Sequence, residues 1–400
     1  MHIDLFFTAS LLLALGCAGC SSAGTTGGGG ASSTGVTTGT GAGGAPPDGG
    51  VESDGGDGGV PPVLAFVAQY GGGLAEVSID PGSGALTALS GSPFDNHAGL
   101  YAVALDPAGT AVYAVDILTA TIVGYRIAPG TGALTPIDGT PVTFAGDPTS
   151  IAVDPQGRFA YVGDSANVAI HVYSIAPGSG ALSPVTAPPI PVAALPAALT
   201  PDPSGRFLYV SMATKAGIDV LEVAASGALS EVTGASFEGQ SVQGGWMAFH
   251  PNGKVLYEVR GGLNALGIDA TTGALNPIQA TPSGAPVTFD SGSIALAVDP
   301  RGRFAYAVDN NKGLFVYGLD PTSAELAPRN GSLPFDVGES PYSVAIDPAG
   351  RFAYVGSDDG ALRTFSIDQA TFAPTPVAGP PFPLTGGQPE LVIVQTSASP

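Results

Sequence analysis

The sequence predicts an all-β fold, a seven-bladed β-propeller of four-stranded blades whose first blade is closed by the C-terminal strand. Three observations point there. A turn motif recurs at a near-constant interval, each interval holds four short strand-like runs, and the two ends of the chain are complementary fractions of one unit.

The turn motif is Asp-Pro-x-Gly, at Asp106, Asp154, Asp202, Asp299 and Asp347, with His250-Pro251-Asn252-Gly253 filling the gap. Successive spacings are 48, 48, 48, 49 and 48 residues. Asp, Pro and Gly at the first, second and fourth positions are what a type I turn favours. An apolar run with aromatics follows, as in Arg158-Phe159-Ala160-Tyr161-Val162 and Arg351-Phe352-Ala353-Tyr354-Val355, and reads as a strand. A second turn signal, x-Gly-Ala-Leu, ends at Leu86, Leu134, Leu182, Leu229 and Leu275, with a variant ending at Leu326. Each unit therefore reads strand A, Asp-Pro turn, strand B, loop, strand C, Gly-Ala-Leu turn, strand D. Four short strands in 40 to 50 residues make a propeller blade. No segment keeps an apolar period of 3.6 without Gly or Pro, which argues against helical repeats.

The count of seven comes from the ends. Six units begin near Tyr101, Thr149, Ala197, Gly245, Ile294 and Tyr342. Before them, Val63–Tyr70, Leu74–Asp80 and Ala85–Leu89 match strands B, C and D of a unit without strand A. After them, the run from Gln388 to Val394 resembles Ser340–Ile346, a strand A without a successor. Pairing the two completes blade 1 and removes the exposed edge that an open ring would carry.

Gly and Pro, 60 and 37 residues, make up almost a quarter of the 400-residue chain, and charged residues only 11%. The 33 acidic against 12 basic residues leave a net charge of −21, the wrong sign for replacing counterions on phosphate, so nucleic acid is excluded as a partner. Residues 1–16 read as a lipoprotein signal peptide: a short apolar run from Leu5 to Leu15 precedes Cys17, the expected lipidation site, with Cys20 the alternative. The segment lacks the usual basic residues at its start. Residues 17–60 read as a flexible Gly/Ser/Thr-rich tether, spanning roughly 35 Å root-mean-square if unstructured, and residues 61–397 as the propeller. The expected address is the cell envelope, lipid-anchored at the outer membrane, the lipid being the only membrane contact; the closed ring is expected to be monomeric. Both cysteines lie outside the propeller, which excludes a thiol nucleophile, a Cys-ligated metal or a disulfide framework there.

The repeat resembles the lactonase-type seven-bladed propellers, which include one kind of 6-phosphogluconolactonase and overlap with the Tyr-Val-Thr-Asn-repeat propellers of bacterial surfaces. The segments that carry the resemblance are Tyr125–Pro136 and Ser340–Val355, and it extends over about residues 63 to 396. The tetrapeptide is degenerate here, as in Tyr161-Val162-Gly163-Asp164. The resemblance implies lactone hydrolysis; the shared residues are turn and core positions, so it implies no particular catalytic residue.

In a propeller the A-to-B and C-to-D turns share one face, and the D-to-A and B-to-C loops share the other. Here the second set varies, and variable loops on a rigid scaffold are where function sits. Lactone hydrolysis needs an activated water and a group to stabilise the oxyanion. On that face His97 is the candidate base, Arg260 a candidate for charge stabilisation and Glu339 a further catalytic candidate. Tyr101, Asp147, Gln243, Trp246, Lys312, Tyr342 and Glu390 are candidate ligand-binding residues. Asp116, Asp164, Asp309, Asp358 and Asp359 add carboxylates from the B-to-C loops. Converging carboxylates suit Ca²⁺, but a solvated acidic rim is the preferred reading and no cofactor is expected. His171 and His250 read as structural, and Arg158, Arg206, Arg303 and Arg351 as features of the repeat. Few cations then remain for a phosphorylated sugar. Two functions stay open: a lactone (6-phosphogluconolactonase-like) hydrolase, and a non-catalytic cell-surface propeller that binds a ligand or protein partner at the variable face; the expected partner is a small-molecule lactone or carbohydrate, or a protein.

Overall fold

The Asp-Pro-x-Gly turn sets the first hairpin of each blade, and the carboxylate does more than start the turn. In a computed structural model, Asp202 Oδ1 accepts the amides of Arg206 and Phe207, each at 2.8 Å. Asp106 Oδ1 does the same for Thr110 and Ala111, at 2.6 and 2.8 Å. The side chain thus bridges the turn to the first residue of strand B. At the equivalent turns of blades 3 and 6, Arg158 and Arg303 fold back on Asp154 and Asp299, Nε to Oδ2 at 2.9 and 2.8 Å, and lie over the next Phe ring.

The structure describes residues 63–396, apart from 95–96, 186, 216, 238–244, 260–261, 279–292, 321–322, 324 and 331–332; side chains of 293–294, 387–388 and 390–396 are also outside the description. The signal segment, Cys17, the tether, Arg260 and Gln243 therefore lie outside the described residues, as does the side chain of Glu390.

Seven antiparallel sheets form the ring. Blade 2 is typical: strands A to D are Leu100–Leu105, Ala111–Asp116, Thr121–Ile127 and Leu134–Pro136. Strand B is buried along its whole length, as in blades 3, 4 and 7 (Phe159–Asp164, Phe207–Met212, Phe352–Ser357). Its central tyrosine, at Tyr113, Tyr161, Tyr209, Tyr257, Tyr306 and Tyr354, is fully enclosed. The hydroxyls of Tyr113, Tyr209 and Tyr306 donate to the carbonyls of Gly180, Gly273 and Phe372 at 2.8, 2.9 and 2.7 Å. Each acceptor lies in the C-to-D turn of the next blade, so the rings fill the seam while the hydroxyls satisfy a backbone group across it.

Closure follows the expected pairing. The C-terminal strand, Gly387–Thr396, runs antiparallel to Val63–Tyr70, with Val63 opposite Thr396 and Ala68 opposite Leu391. The Arg351 guanidinium of blade 7 donates to the Pro81 carbonyl of blade 1, across the seam between these two blades.

One feature was not foreseen. Beyond strand D, blades 2, 3 and 7 carry a two-residue strand, Val142–Thr143, Ile190–Pro191 and Phe382–Pro383, on the outer edge of strand C. Strand D is only three residues long and covers half of that edge. The extra pairing covers the other half, and single bridges at Phe94, Phe237 and Phe335 do so in blades 1, 4 and 6.

Candidate active site

Strand B of blades 2, 3 and 6 ends in Asp116, Asp164 and Asp309, all fully buried. One oxygen of each caps the B-to-C turn: Asp116 Oδ1 accepts the amides of Leu118 and Thr119 at 2.9 and 3.0 Å, and Asp309 Oδ1 those of Asn311 and Lys312 at 2.9 and 3.1 Å. The second oxygen serves a different purpose in each blade. Asp116 Oδ2 lies 2.9 Å from His97 Nδ1. Asp164 Oδ2 lies 2.9 Å from His171 Nε2 and accepts the Asn167 side-chain amide at 2.7 Å. Asp309 Oδ2 has no partner. In blade 7 the cross-strand equivalent of His171 is Arg363, which pairs with Asp359 in its own B-to-C turn.

His97 is carried by the D-to-A loop that enters blade 2. The Gly71 amide donates to the Ala98 carbonyl at 2.7 Å, and the Ile117 amide to the Gly99 carbonyl at 2.9 Å, so the loop is held from both blades. Gly99 is required: a Cβ there would sit 2.2 Å from Asp116 Oδ1. Gly146 stands in the same relation to Asp164 in blade 3.

The imidazole of His97 is about a quarter exposed and the carboxylate beneath it not at all. A carboxylate only accepts, so Nδ1 carries the hydrogen and the lone pair is on Nε2. That is the tautomer in which an imidazole oriented by an acid can take a proton from water. Leu118 and Tyr70, two of the few large apolar side chains exposed among the described residues, join this site through their backbones. Leu118 shares the Asp116 carboxylate, and Tyr70 bridges to Gly99.

Burial opposes ionisation of Asp164. The hydrogen bonds from the side chain and amide of Asn167, the Asp147 amide and His171 outweigh it and hold this carboxyl below the ordinary aspartate value. Arg363 is held above its ordinary value, chiefly by its hydrogen bonds to Asp359. His171 also packs on Phe144, with ring centroids 4.6 Å apart, and His250 accepts the Asn252 amide at 3.1 Å.

The other sequence candidates are dispersed. Tyr101 is half-buried against the core cluster of Tyr113 and Ile151. Trp246 packs against two interblade clusters, which makes it a core residue. Asp147, Lys312 and Glu339 are exposed, and Tyr342 is half-buried, each at a different blade entry or loop. Glu339 contributes to the field at Arg363. Sequence reasoning placed Asp116 at the mouth without pairing it to His97, and it did not single out Arg363; the signal for both is their register relative to the strand B tyrosine. Among the described residues no three His, Asp or Glu side chains converge as a metal site, and no helix is long and apolar enough to cross a membrane.

Residues 64–242 and 246–384 match the family model for the lactonase seven-bladed β-propeller. The chain belongs to that family. Among solved structures, this lactonase-family propeller is similar to a candidate 6-phosphogluconolactonase from Bacteroides fragilis, at 20% identity and TM-score 0.70, over 84% of this chain and 98% of that one. It is equally similar in fold to a periplasmic gluconolactonase of Pseudomonas aeruginosa, at 18% identity and TM-score 0.70, over 84% of this chain and all of that one. At these identities the likeness is one of fold. No curated protein matches the sequence.

Proposed function

We propose that this family member is an extracytoplasmic lactone hydrolase, anchored to the cell envelope through Cys17, with His97 as general base. The observation that supports the reading is the 2.9 Å contact between His97 Nδ1 and the fully buried Asp116. Water bound at His97 Nε2 attacks the lactone carbonyl carbon as the imidazole takes its proton. The tetrahedral intermediate collapses with cleavage of the ring C–O bond, and the imidazolium returns the proton to the departing alkoxide, giving a hydroxy acid. Asp116 stabilises the imidazolium and fixes the ring. Arg260 is the candidate for the oxyanion.

An unphosphorylated lactone suits the site better than a sugar phosphate. Arg158 and Arg303 are engaged in turns on the opposite face, Arg363 is paired with Asp359, and exposed Tyr70 and Leu118 are held near the base by their backbones. The test is a panel of sugar, alkyl and phosphorylated lactones with wild-type protein and His97→Ala. Turnover lost in the variant is expected; ligand binding without turnover of any lactone assigns the propeller to binding instead.

A further inference from the structure

Blade 1 departs from the tyrosine pattern of the other blades, in which the hydroxyls of Tyr113, Tyr209 and Tyr306 reach the next blade while those of Tyr161 and Tyr354 are buried without a partner. Where the other six strand B segments place a tyrosine, blade 1 has Phe66, which has no hydroxyl to offer blade 2. Directly opposite Phe66, in strand C (Gly73–Ile79), stands Glu76. Glu76 is fully buried, and neither carboxyl oxygen has a hydrogen-bond partner. A Cβ on Gly132, in the C-to-D turn of blade 2, would lie 2.7 Å from Glu76 Oε1 and 2.9 Å from Leu64 Cδ1. The carboxyl therefore sits against the same turn that a tyrosine hydroxyl meets in other seams.

Its surroundings hold no compensating charge. Strands B and D of blade 1 and residues 128–133 of blade 2 contain no charged residue. Tyr125 belongs to the apolar cluster of Leu64, Phe66 and Leu74, while Asp80, just beyond strand C, and Arg126, in strand C of blade 2, are exposed. From blade 2, Asp116 faces this seam at its mouth end, where His97 and the turn amides occupy it, and Tyr101 and Tyr113 belong to the next seam. Burial pushes the Glu76 carboxyl up to about 8.

The backbone of Glu76 also seats the loop that carries His97. Its amide donates to Ser92 Oγ at 2.8 Å, its carbonyl accepts the Leu89 amide at 3.1 Å, and two residues earlier Leu74 pairs with Phe94. We propose that Glu76 is a proton-controlled fastener: neutral in the seam, it keeps residues 89–94 and 97–99 seated with His97 presented, and loss of its proton is coupled to release of those residues. The role given to His97 rests on the proposed hydrolase; the fastening of the loop does not.

Hydrogen exchange on the full chain between pH 5 and 9, corrected for intrinsic rates, tests this with wild type and Glu76→Gln. In wild type, protection of residues 89–94 and 97–99 is expected to fall by up to about tenfold per pH unit and to level off above about 8. Glu76→Gln, nearly isosteric and without the proton, is expected to hold its protection constant, as is a reference peptide in strand B of blade 4 in either protein. Phe66→Tyr with Glu76→Val, which restores the pattern of the other blades, is a second variant expected to be insensitive to pH. A parallel loss of protection in wild type and variants, or no loss in wild type, overturns the proposal. A transition confined to wild type without turnover of any lactone leaves the fastener standing and removes the hydrolase.

Discussion

His97 Nδ1 lies 2.9 Å from Asp116 Oδ2, and the carboxylate it meets is wholly enclosed. The other oxygen of Asp116 is committed to the amides of Leu118 and Thr119. Orientation of the imidazole and shape of the B-to-C turn thus depend on one side chain. Asp116→Asn can keep the turn while turning an amide donor toward Nδ1, which forces the wrong tautomer. Lactone turnover is expected to fall by on the order of 10²–10⁴ with a small change in melting temperature. Steady-state rates beside a thermal melt check both parts.

The tyrosine hydroxyls are expected to act as discrete interblade bonds. Tyr209→Phe keeps the ring but leaves the Gly273 carbonyl without its 2.9 Å donor in a buried seam. A loss of about 1–3 kcal/mol is expected by urea unfolding. An unchanged midpoint would show that the rings alone join the blades.

Gly273 has φ +73°, and a Cβ there would lie 2.8 Å from the Phe207 ring. Gly273→Ala therefore meets both backbone strain and a rigid neighbour, and a cost of about 1–3 kcal/mol is expected in the same assay. Gly130, with φ +77° and open space around it, is the control: only the backbone term remains, and the loss should be smaller.

Stability should have an acid and an alkaline limb with separate causes. Asp164 and Asp359 are lowered from 3.8, so the stability they contribute is present above that value and lost as pH falls through their folded-state values. Glu76 is raised from 4.5 to about 8, so its contribution is complete below 4.5 and lost progressively as pH rises to about 8. The melting temperature is expected to peak near pH 4 to 5. Glu76→Gln should flatten the alkaline limb and leave the acid limb in place; general repulsion from the −21 net charge persists in the variant and gives its residual slope.

Ending the chain at Gly386 removes the whole strand that pairs with Val63–Tyr70. That variant is expected to aggregate or to lose its cooperative melt, because blade 1 is left with a long apolar edge. A melt like that of the intact protein would count against closure as a source of stability.

The ring was readable because its turns demand particular residues. Asp at the start of the A-to-B turn caps two or more amides, and a glycine with φ near +70° must follow three residues later. The closing strand was readable because Gln388-Pro389 repeats the pattern of Ser340-Pro341. The site was less so. His97 stood out as a rare base, but its partner is set by where a loop of irregular sequence meets the end of strand B. Arg363 looks like an ordinary strand residue until it is aligned by register with His171. Glu76 resembles a solvent-facing acid in an alternating strand; only its pairing with Phe66 turns it inward. Trp246, a lone aromatic at a strand A entry, is partly buried against two interblade clusters, a placement its sequence position does not reveal.

The unclaimed oxygen of Asp309 gives the ring an engineering handle. Its neighbour across strands B and C, Phe315 opposite Ala307, holds the register that His171 holds opposite Val162 in blade 3. Since the turn is already secured by the other oxygen, a histidine grafted at Phe315 would meet a ready-made acceptor without disturbing the backbone. New imidazoles can thus be moved from blade to blade by single codon changes, which offers a simple route by which relatives of this protein could diversify their chemistry on an unchanged frame.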